Sequence, residues 1–530
     1  MASTGESAGR HVPERSSSVI FLVFLVVLVN SLTLGYDGNM MNGMMILPSF
    51  SEYMNLNTAS KAASSSIIWI GGAAIAPFCG PFLDKFGRKK GMLGAVVVAS
   101  VGVALQGAAQ NAAMFMVARF ILGMGVGLSS IVCPTYASEV APTKYRAWML
   151  GFYYDIWYFG GMVAALITYG TAQIPSTWSW RLPSLLQAIP SILCAVLLPL
   201  VPESPRWLVA QGKSEQALKV LAVSMANGDT SNPETVMTYN QIIGTIAYEM
   251  ENPASKSWLA AVKTPSNRKR TTLAISVAII GNLSGSAIAS YWLGTMLSQA
   301  GITDTLRQLQ INIVLNLWCL ICAGAGTLFA DKIGRKTLGI GSLTFSLIFL
   351  YLVGAFTKVY GSSTSKSGVY GTVACIFLFQ GGYSFGWTTL LVMYPPEVLN
   401  FSLRANGMGI YTFVSNSAAA VIVSLPHVVE FNIDLTDIRI FATFIMPFAL
   451  ENIGWKTYMV NASWDILEVA FVAFFWVETR KLSLEEIDDA FEGKIHVPNE
   501  NVMDGYDIEG VKTKGSSGVM RFDHGGSETG

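Results

Sequence analysis

Charged residues are scarce in this sequence, and their scarcity argues against a soluble fold. Asp, Glu, Lys and Arg make up 13% of the 530 residues, whereas a soluble domain carries about 25%. The formal net charge is zero, so no basic excess indicates nucleic-acid binding. We therefore expect lipid, rather than water or nucleic acid, to surround most of the chain.

Histidine and cysteine are also few. The four His residues are not clustered, and the sequence contains no metal-ligand spacing, P-loop or nucleophile elbow. All six Cys residues lie inside apolar runs, which excludes the disulfide framework of a small extracellular domain. We accordingly expect no enzyme activity, no metal and no bound cofactor.

What the sequence does contain is a series of apolar runs long enough to cross a bilayer as helices. Six runs precede a polar gap and six follow it. This pattern predicts an all-α membrane protein with twelve transmembrane helices in two six-helix halves, joined by a helical linker that includes Ser214 to Leu221 and Glu234 to Glu251. The predicted spans are 18–47, 62–83, 92–110, 112–138, 148–171, 180–201, 271–298, 308–330, 337–357, 371–394, 407–426 and 455–476.

Lysine and arginine are concentrated in alternate loops. Since short cytoplasmic loops carry the basic residues of membrane proteins, both termini and the linker are predicted to be cytoplasmic. The predicted organisation is a cytoplasmic N-terminal tail (1–17), a first bundle (18–201), a linker (202–270), a second bundle (271–476) and a cytoplasmic C-terminal tail (477–530).

Three short motifs occur once in each half. DKFGRK at 84–89 and DKIGRK at 331–336 each follow a second span, and five of their six residues are identical. Glu139 precedes Arg146 by the same seven residues that separate Glu397 from Arg404. Because unrelated loops do not repeat such spacing, the halves are predicted to be parallel copies that enclose one central cavity.

The repeated charges, together with PESPR at 202–206 and VETR at 477–480, are predicted to form a cytoplasmic latch. Carboxylates and guanidinium groups would pair across the two halves when the inner side closes. Each exposed pair contributes about 0–1 kcal/mol, which suits a switch between two states. The predicted gating residues are Asp84, Arg88, Glu139, Arg146, Glu203, Arg206, Asp331, Arg335, Glu397, Arg404 and Glu478.

Longer segments resemble the sugar porter family of the major facilitator superfamily. They include GPFLDKFGRKK at 80–90, PTYASEVAPTKYRA at 134–147 and YPPEVLNFSLRANGMG at 394–409. GFYYDIWYFG, YPPEVL and ALENIGWK are most similar to fungal lactose and cellodextrin permeases. The resemblance implies the major facilitator fold, alternating access and a substrate site between the halves. We further expect a monomer in the plasma membrane, with the proton as coupling ion.

Proton-coupled members of that family carry an Asp in the first span near an Arg in the fourth, and Asp37 and Arg119 occupy these places. Independently of the resemblance, a charge at mid-membrane costs about 2.5–3.5 kcal/mol, so such residues indicate function. Protonation of Asp37 would release Arg119 and shift the balance between inward- and outward-open states. A static buried ion pair is the alternative.

The polar groups that such a family uses to bind sugar are partly missing. Asp155 stands where span five usually has Gln, and GNLSGSA at 281–287 replaces a Gln-rich stretch. Since an unpaired buried hydroxyl costs about 1–3 kcal/mol, the pocket is expected to be poorer in sugar ligands. Asp155 is interpreted as a second proton site, a polyol or cation ligand, or a neutral buried acid. The predicted substrate-binding residues are Asp155, Asn282, Ser284, Ser286, Tyr291 and Asn416.

Two features fit this scheme less well. Asp465 and Glu468 lie in the twelfth span, which is peripheral in the family, so a structural or protonated role is expected. The polar segment 427–445 has no counterpart in the family and is either a longer outer loop or an artefact of gene prediction.

Three functions stay open on this basis. The first is proton-coupled uptake of a mono- or disaccharide. The second keeps the fold and coupling but moves a non-sugar metabolite, a polyol or an exported natural product. The third is a sugar sensor with little flux, against which the retained Asp37 and Arg119 argue.

Overall fold

The structure is a computed structural model that describes residues 12–13, 15–251, 260–361, 365–399, 401–424, 453–480 and 491. These residues form helices joined by short connections and contain no β-strand. The predicted all-α fold is therefore confirmed for the described part of the chain. The segment 427–445 lies outside the described residues.

The first half consists of long helices whose lengths match a bilayer. They are α1 (Ser16–Ile46), α3 (Thr58–Phe86), α4 (Arg88–Gly107), α5 (Ala112–Val140) and α6 (Thr143–Thr171), with a short α2 (Pro48–Tyr53) between the first two; the sixth span comprises α7 (Trp178–Leu186) and α8 (Ala188–Leu197). Asn57 and Asn111 cap the starts of α3 and α5 through their side chains. Large apolar side chains such as Phe21, Phe78 and Val97 stay exposed, as expected for a surface that faces lipid.

The linker is helical, as predicted. Its helices are α9 (Pro205–Ala210), α10 (Ser214–Met225), α11 (Pro233–Glu251) and α12 (Ala260–Lys263). The linker is anchored to the first half by two reciprocal hydrogen bonds at the start of α1. Ser16 N donates to Asn227 Oδ1 at 3.0 Å, and Asn227 N donates to Ser16 Oγ at 2.7 Å.

The second half repeats the order of the spans of the first, but its first span is broken into several helices. Its helices are α13 (Pro265–Leu283), α14 (Ser286–Tyr291), α15 (Leu293–Gln299), α16 (Thr305–Ile333), α17 (Arg335–Tyr360), α18 (Lys366–Val398), α19 (Phe401–Ser424) and α20 (Lys456–Phe475). Within the described residues, ten of the predicted spans meet the length and hydropathy of a membrane-crossing helix. The eleventh predicted span is covered by α19.

The seventh span, predicted over 271–298, is not one continuous helix. The helix stops at Leu283, resumes at Ser286 and is interrupted again at Trp292. Gly285 lies between the first two pieces with φ +79°, a left-handed conformation that glycine adopts without steric cost. The break exposes backbone groups and polar side chains inside the bundle.

The two halves meet along their inner helices. From the first half, α1 and α6 pack against α14, α16 and α18, while α3 packs against α19. One cross-half contact is a hydrogen-bonded chain in which Ser384 Oγ donates to Tyr158 Oη at 2.8 Å and Tyr158 Oη lies 3.1 Å from Thr388 Oγ1. The interface therefore contains polar side chains from both halves.

Candidate functional site

Asp37 and Arg119 lie in the interior of the first half, on α1 and α5. Each side chain is only 1% exposed, and each interacts electrostatically with the other. Both Asp37 carboxylate oxygens and the Nε and Nη1 atoms of Arg119 have no hydrogen-bond partner within the described residues. The two predicted residues are thus brought together without a closed ion pair between them.

The second half contributes Tyr291 to the same place. Its phenol interacts electrostatically with Arg119, and its ring meets Trp69 of α3 edge-on at 6.2 Å between centroids. Tyr291 lies at the end of α14, immediately before the second interruption of the seventh span. The Asp37–Arg119 site is therefore built from α1, α3 and α5 of one half and α14 of the other.

Asp155 lies on α6 and is 1% exposed. The hydroxyl of Thr327, on α16 of the second half, interacts with its carboxyl, although neither Asp155 oxygen has a hydrogen bond of normal geometry within the described residues. Thr327 Oγ1 also lies 3.2 Å from Thr389 Oγ1 of α18. Asp155 consequently sits at the interface of the halves, where a conformational change would alter its surroundings.

The other predicted substrate-binding residues surround the broken seventh span. Asn282 Nδ2 donates to Ala278 O at 2.8 Å and lies 3.4 Å from Ser415 Oγ on α19. Ser284 is fully buried, and its Oγ has no hydrogen bond of normal geometry within the described residues. Ser286 interacts with the Tyr383 phenol. Asn416 faces α3, where a Cβ on Gly72 would lie 3.0 Å from Asn416 Nδ2.

A cluster of four buried asparagines was not predicted as a site. Asn42 Nδ2 of α1 lies 3.4 Å from Asn312 Oδ1 of α16, across the interface of the halves. Asn316 Nδ2 donates to Asn312 Oδ1 at 3.1 Å, and Asn39 of α1 is 4% exposed. A sequence signal existed, because each helix carries two amides about one turn apart inside an apolar run.

The gating residues of the first half form a network at the α3–α4 connection. Arg88 Nη2 donates to Glu139 Oε1 at 2.9 Å, and Arg88 Nη1 lies 3.7 Å from Asp84 Oδ1. Glu203 Oε1 accepts hydrogen bonds from the backbone N–H groups of Arg88 at 3.0 Å and Lys89 at 3.2 Å. Burial raises the pKa of the Glu203 carboxyl, an effect that these backbone donors oppose.

The second half contains the matching network at the α16–α17 connection. Arg335 Nη2 donates to Glu397 Oε1 at 2.8 Å, and Arg335 Nη1 donates to Asp331 Oδ1 at 2.8 Å. Glu478 Oε1 accepts a hydrogen bond from Arg335 N at 2.8 Å. Thr479 Oγ1 donates to Glu397 Oε2 at 2.6 Å, and Ser204 makes the equivalent bond to Glu139 in the first half.

The ion pairs found in the described residues lie within a single half. Pairing across the two halves was predicted for the state in which the inner side is closed, and it stays a prediction. Helices that are adjacent in one bundle hold the partners at contact distance. Arg146 lies near Arg206, a like charge. The side chain of Arg404 lies outside the described residues.

Comparison with known proteins places these features in a family. Residues 23–491 match the family described as sugar (and other) transporter. The chain is 25% identical over 494 residues to high-affinity glucose transporter 1 of Candida albicans, covering 90% of this chain and 86% of that one. It is 27% identical over 476 residues to the MFS-type transporter oryC of Aspergillus oryzae, covering 86% and 82% of the two chains.

Solved structures agree at the level of the fold. The proton:xylose symporter XylE bound to 6-bromo-6-deoxy-D-glucose superposes with a TM-score of 0.72 at 21% identity, covering 90% of this chain and all of that one. A partially occluded inward-open form of XylE from E. coli gives a TM-score of 0.66 at 20% identity, covering 87% of this chain and all of that one. The chain therefore has the fold of the major facilitator superfamily.

Proposed function

The chain belongs to the sugar (and other) transporter family, and on this premise we propose that it is a proton-coupled symporter that takes up a mono- or disaccharide by alternating access. It is a multi-pass membrane protein. The proposal includes a plasma-membrane location, cytoplasmic termini and a monomeric functional unit. It includes no cofactor other than the coupling proton and no catalysed reaction.

The observation that carries the coupling proposal is the open arrangement of Asp37 and Arg119. Both Asp37 oxygens and two of the three Arg119 nitrogens, Nε and Nη1, are buried without a hydrogen-bond partner in the described residues, so both groups are costly to keep charged. Protonation of Asp37 removes one of the charges, so Arg119 then interacts with other groups around it. Since Tyr291 comes from the second half and interacts with Arg119, this change reaches the interface that must rearrange during transport.

The polar groups between the halves support a polyhydroxylated cargo. The amides of Asn39, Asn42, Asn312 and Asn316, together with Asp155, offer donors and acceptors to hydroxyl groups. Relatives of the chain are named as glucose transporters and, in Bacillus subtilis, as a myo-inositol transporter. A sugar or a closely related polyol therefore fits both the site and the family.

A second cargo class is favoured by one specific observation. Asn282 is engaged with Ala278 and Ser415, which leaves Ser284 and Ser286 as short polar groups on the broken span. Fewer side chains then reach toward hydroxyl groups of a substrate. A less hydroxylated metabolite or natural product, moved by the same mechanism, is the second candidate.

Radiolabelled uptake in cells that lack their own hexose carriers tests the proposal. A panel of glucose, xylose, lactose, cellobiose and myo-inositol is assayed with and without a protonophore, with vector-only cells as the control. We expect accumulation of at least one of the sugars and its loss with the protonophore. Accumulation that resists the protonophore would contradict proton coupling, and an inactive panel from well-expressed protein would favour the second cargo class.

A further inference from the structure

The twelfth span carries two buried carboxylates that play no part in the site described above. Asp465 and Glu468 lie on α20 with exposed fractions of 1% and 4%. They are three positions apart, so they lie on the same face of the helix, and they interact electrostatically with each other. Like charges at this depth are unfavourable unless a cation or proton compensates them.

The protein supplies no cationic side chain for that purpose in the described helices around them. On α17, which packs against α20, no Lys, Arg or His occurs between Lys336 and Lys358. None occurs on α13 after Arg270, on α18 after Lys366 or on α20 after Lys456. Among the described residues, the Tyr383 phenol of α18 interacts electrostatically with Glu468.

The carboxylate oxygens are only partly satisfied. Trp464 Nε1 donates to Glu468 Oε1 at 2.9 Å. Glu468 Oε2 and Asp465 Oδ1 have no hydrogen-bond partner within the described residues. Each carboxyl group therefore keeps a buried oxygen that can accept a proton or bind a cation.

The same face of α20 lies against the break between α13 and α14. Asn461, one turn before Asp465, donates through Nδ2 to Leu283 O at 2.8 Å, and its Oδ1 lies beside Gly285 without a partner among the described residues. Tyr383 connects the break to the carboxylates, since it interacts with Ser284, Ser286 and Glu468. Interrupted helices in transporters present carbonyl and polar oxygens that bind monovalent cations.

We propose that Asp465 and Glu468, facing the break in the seventh span, form a site for one monovalent cation, a proton or Na⁺, in the second half. The donor set consists of oxygen atoms, which suits such a cation. The described residues contain no group of three or more His, Cys, Asp or Glu side chains that would hold a metal ion, which argues against a transition metal. The site is independent of Asp37 and Arg119 and does not depend on whether the cargo is a sugar.

Thermal unfolding of the purified full-length protein in lipid nanodiscs tests this proposal without any transport assay. The midpoint is measured over a pH series with NaCl or choline chloride at equal ionic strength. A ligand that binds only the folded protein raises the midpoint. A Na⁺ site predicts a rise of a few degrees in NaCl over choline, whereas a proton site predicts a midpoint that falls as pH rises, because unfolding releases the proton.

The variants Asp465→Asn and Glu468→Gln, alone and combined, keep the side-chain shape and remove the charge. We expect the combined variant to lose the Na⁺ or pH response, and each single variant to weaken it if the combined variant does not fold. Asp304→Asn is the control, because it makes the same change at an exposed position 55% accessible to solvent. A wild-type protein without either response, or variants that respond as the wild type does, would overturn the proposal.

Discussion

The helix ends that carry the repeated charged motifs are nearly identical in the two halves, while the membrane interiors of the halves differ. At these helix ends, Arg88 with Glu139 and Arg335 with Glu397 make the same contacts through the same atoms. In the interior, Asp37 and Arg119 have no charged counterparts, since α13 to α15 and α18 carry no Asp, Glu, Lys or Arg between Arg270 and Gln299 or between Lys366 and Glu397.

The repeated charge networks and the unrepeated buried charges have different roles. The repeated networks connect helices inside each half and help each bundle to move as a unit. The unrepeated charges Asp37 and Arg119 occur in only one half, beside Tyr291 of the other half. Repetition thus identifies the parts that hold the bundles together, and asymmetry identifies candidates for coupling and cargo recognition.

The largest effect on transport is expected from Asp37→Asn, which removes the buried carboxylate that occurs in the first half only. Because the Asn amide neither binds nor releases a proton at physiological pH, the pH gradient should no longer drive transport, and we expect accumulation of the cargo above its external concentration to be lost. The measurement is uptake of the identified cargo under an imposed pH gradient in proteoliposomes.

Asp37→Glu keeps the carboxyl group and is the matched control, which we expect to retain part of the accumulation. Exchange of labelled for unlabelled cargo needs no net proton movement and should persist in Asp37→Asn. Undiminished accumulation in Asp37→Asn would rule out a coupling role for this residue.

The second prediction compares the two charged networks by replacing the arginine of each one, Arg88 or Arg335, with alanine. Arg88→Ala leaves the Glu139 side chain, 8% exposed, without its cation and should lower the free energy of unfolding by about 3 kcal/mol. Arg335→Ala should cost about 1–2 kcal/mol, because Glu397 is 24% exposed and water can partly solvate it.

Thermal unfolding of the purified variants measures both changes. Lys85→Ala and Lys332→Ala remove exposed cations from the same two motifs and are expected to change the free energy of unfolding by less than about 0.5 kcal/mol. A larger loss for Arg335→Ala than for Arg88→Ala would contradict the ranking by burial.

The smallest effect on stability is expected at the glycine of each repeated motif, which lies between α3 and α4 in the first half and between α16 and α17 in the second. Gly87 and Gly334 have φ of +89° and +99°, and a Cβ at either would lie 2.7 Å from the Oε2 atom of Glu203 or Glu478. With ψ of 170° and 152°, both glycines occupy a backbone region that is essentially closed to other residues, so alanine at either position should cost about 1–2 kcal/mol, equally in both halves.

Gly80→Ala and Gly341→Ala serve as controls, since a Cβ at these positions meets no atom within 4 Å. They are expected to be neutral or slightly stabilising, because alanine favours helix. Unequal losses for Gly87→Ala and Gly334→Ala would mean that the two networks are less equivalent than their hydrogen bonds indicate.

Much of the fold was predictable from local properties of the chain. The spans, the linker helices α10 and α11, and the repeated motifs follow from apolar run length, amphipathic pattern and identical residues at matched places. The break at Gly285 was missed because GNLSGSA sits within an apolar run of sufficient length, and the left-handed conformation of one glycine is not visible in hydropathy.

The candidate site was predicted less completely. Asp37 and Arg119 were recognisable because a charge in lipid is costly wherever it occurs. The asparagine cluster and the partners of the gating residues were not, since Asn42 and Asn312 are 270 positions apart, and charge alone does not determine which of several carboxylates an arginine will pair with.

By itself, the sequence determined that lipid surrounds most of the chain, the number and order of the membrane spans, and the duplication of the two halves. Each of these depends on residues close together in the chain or on their repetition. Only the tertiary structure decided that Arg88 and Arg335 pair with carboxylates of their own half. It also decided that Tyr291 lies beside Arg119 and that Asp465 and Glu468 face a helix break. Each of these relations depends on how separate helices are packed side by side, which is a property of the whole bundle and not of any one segment.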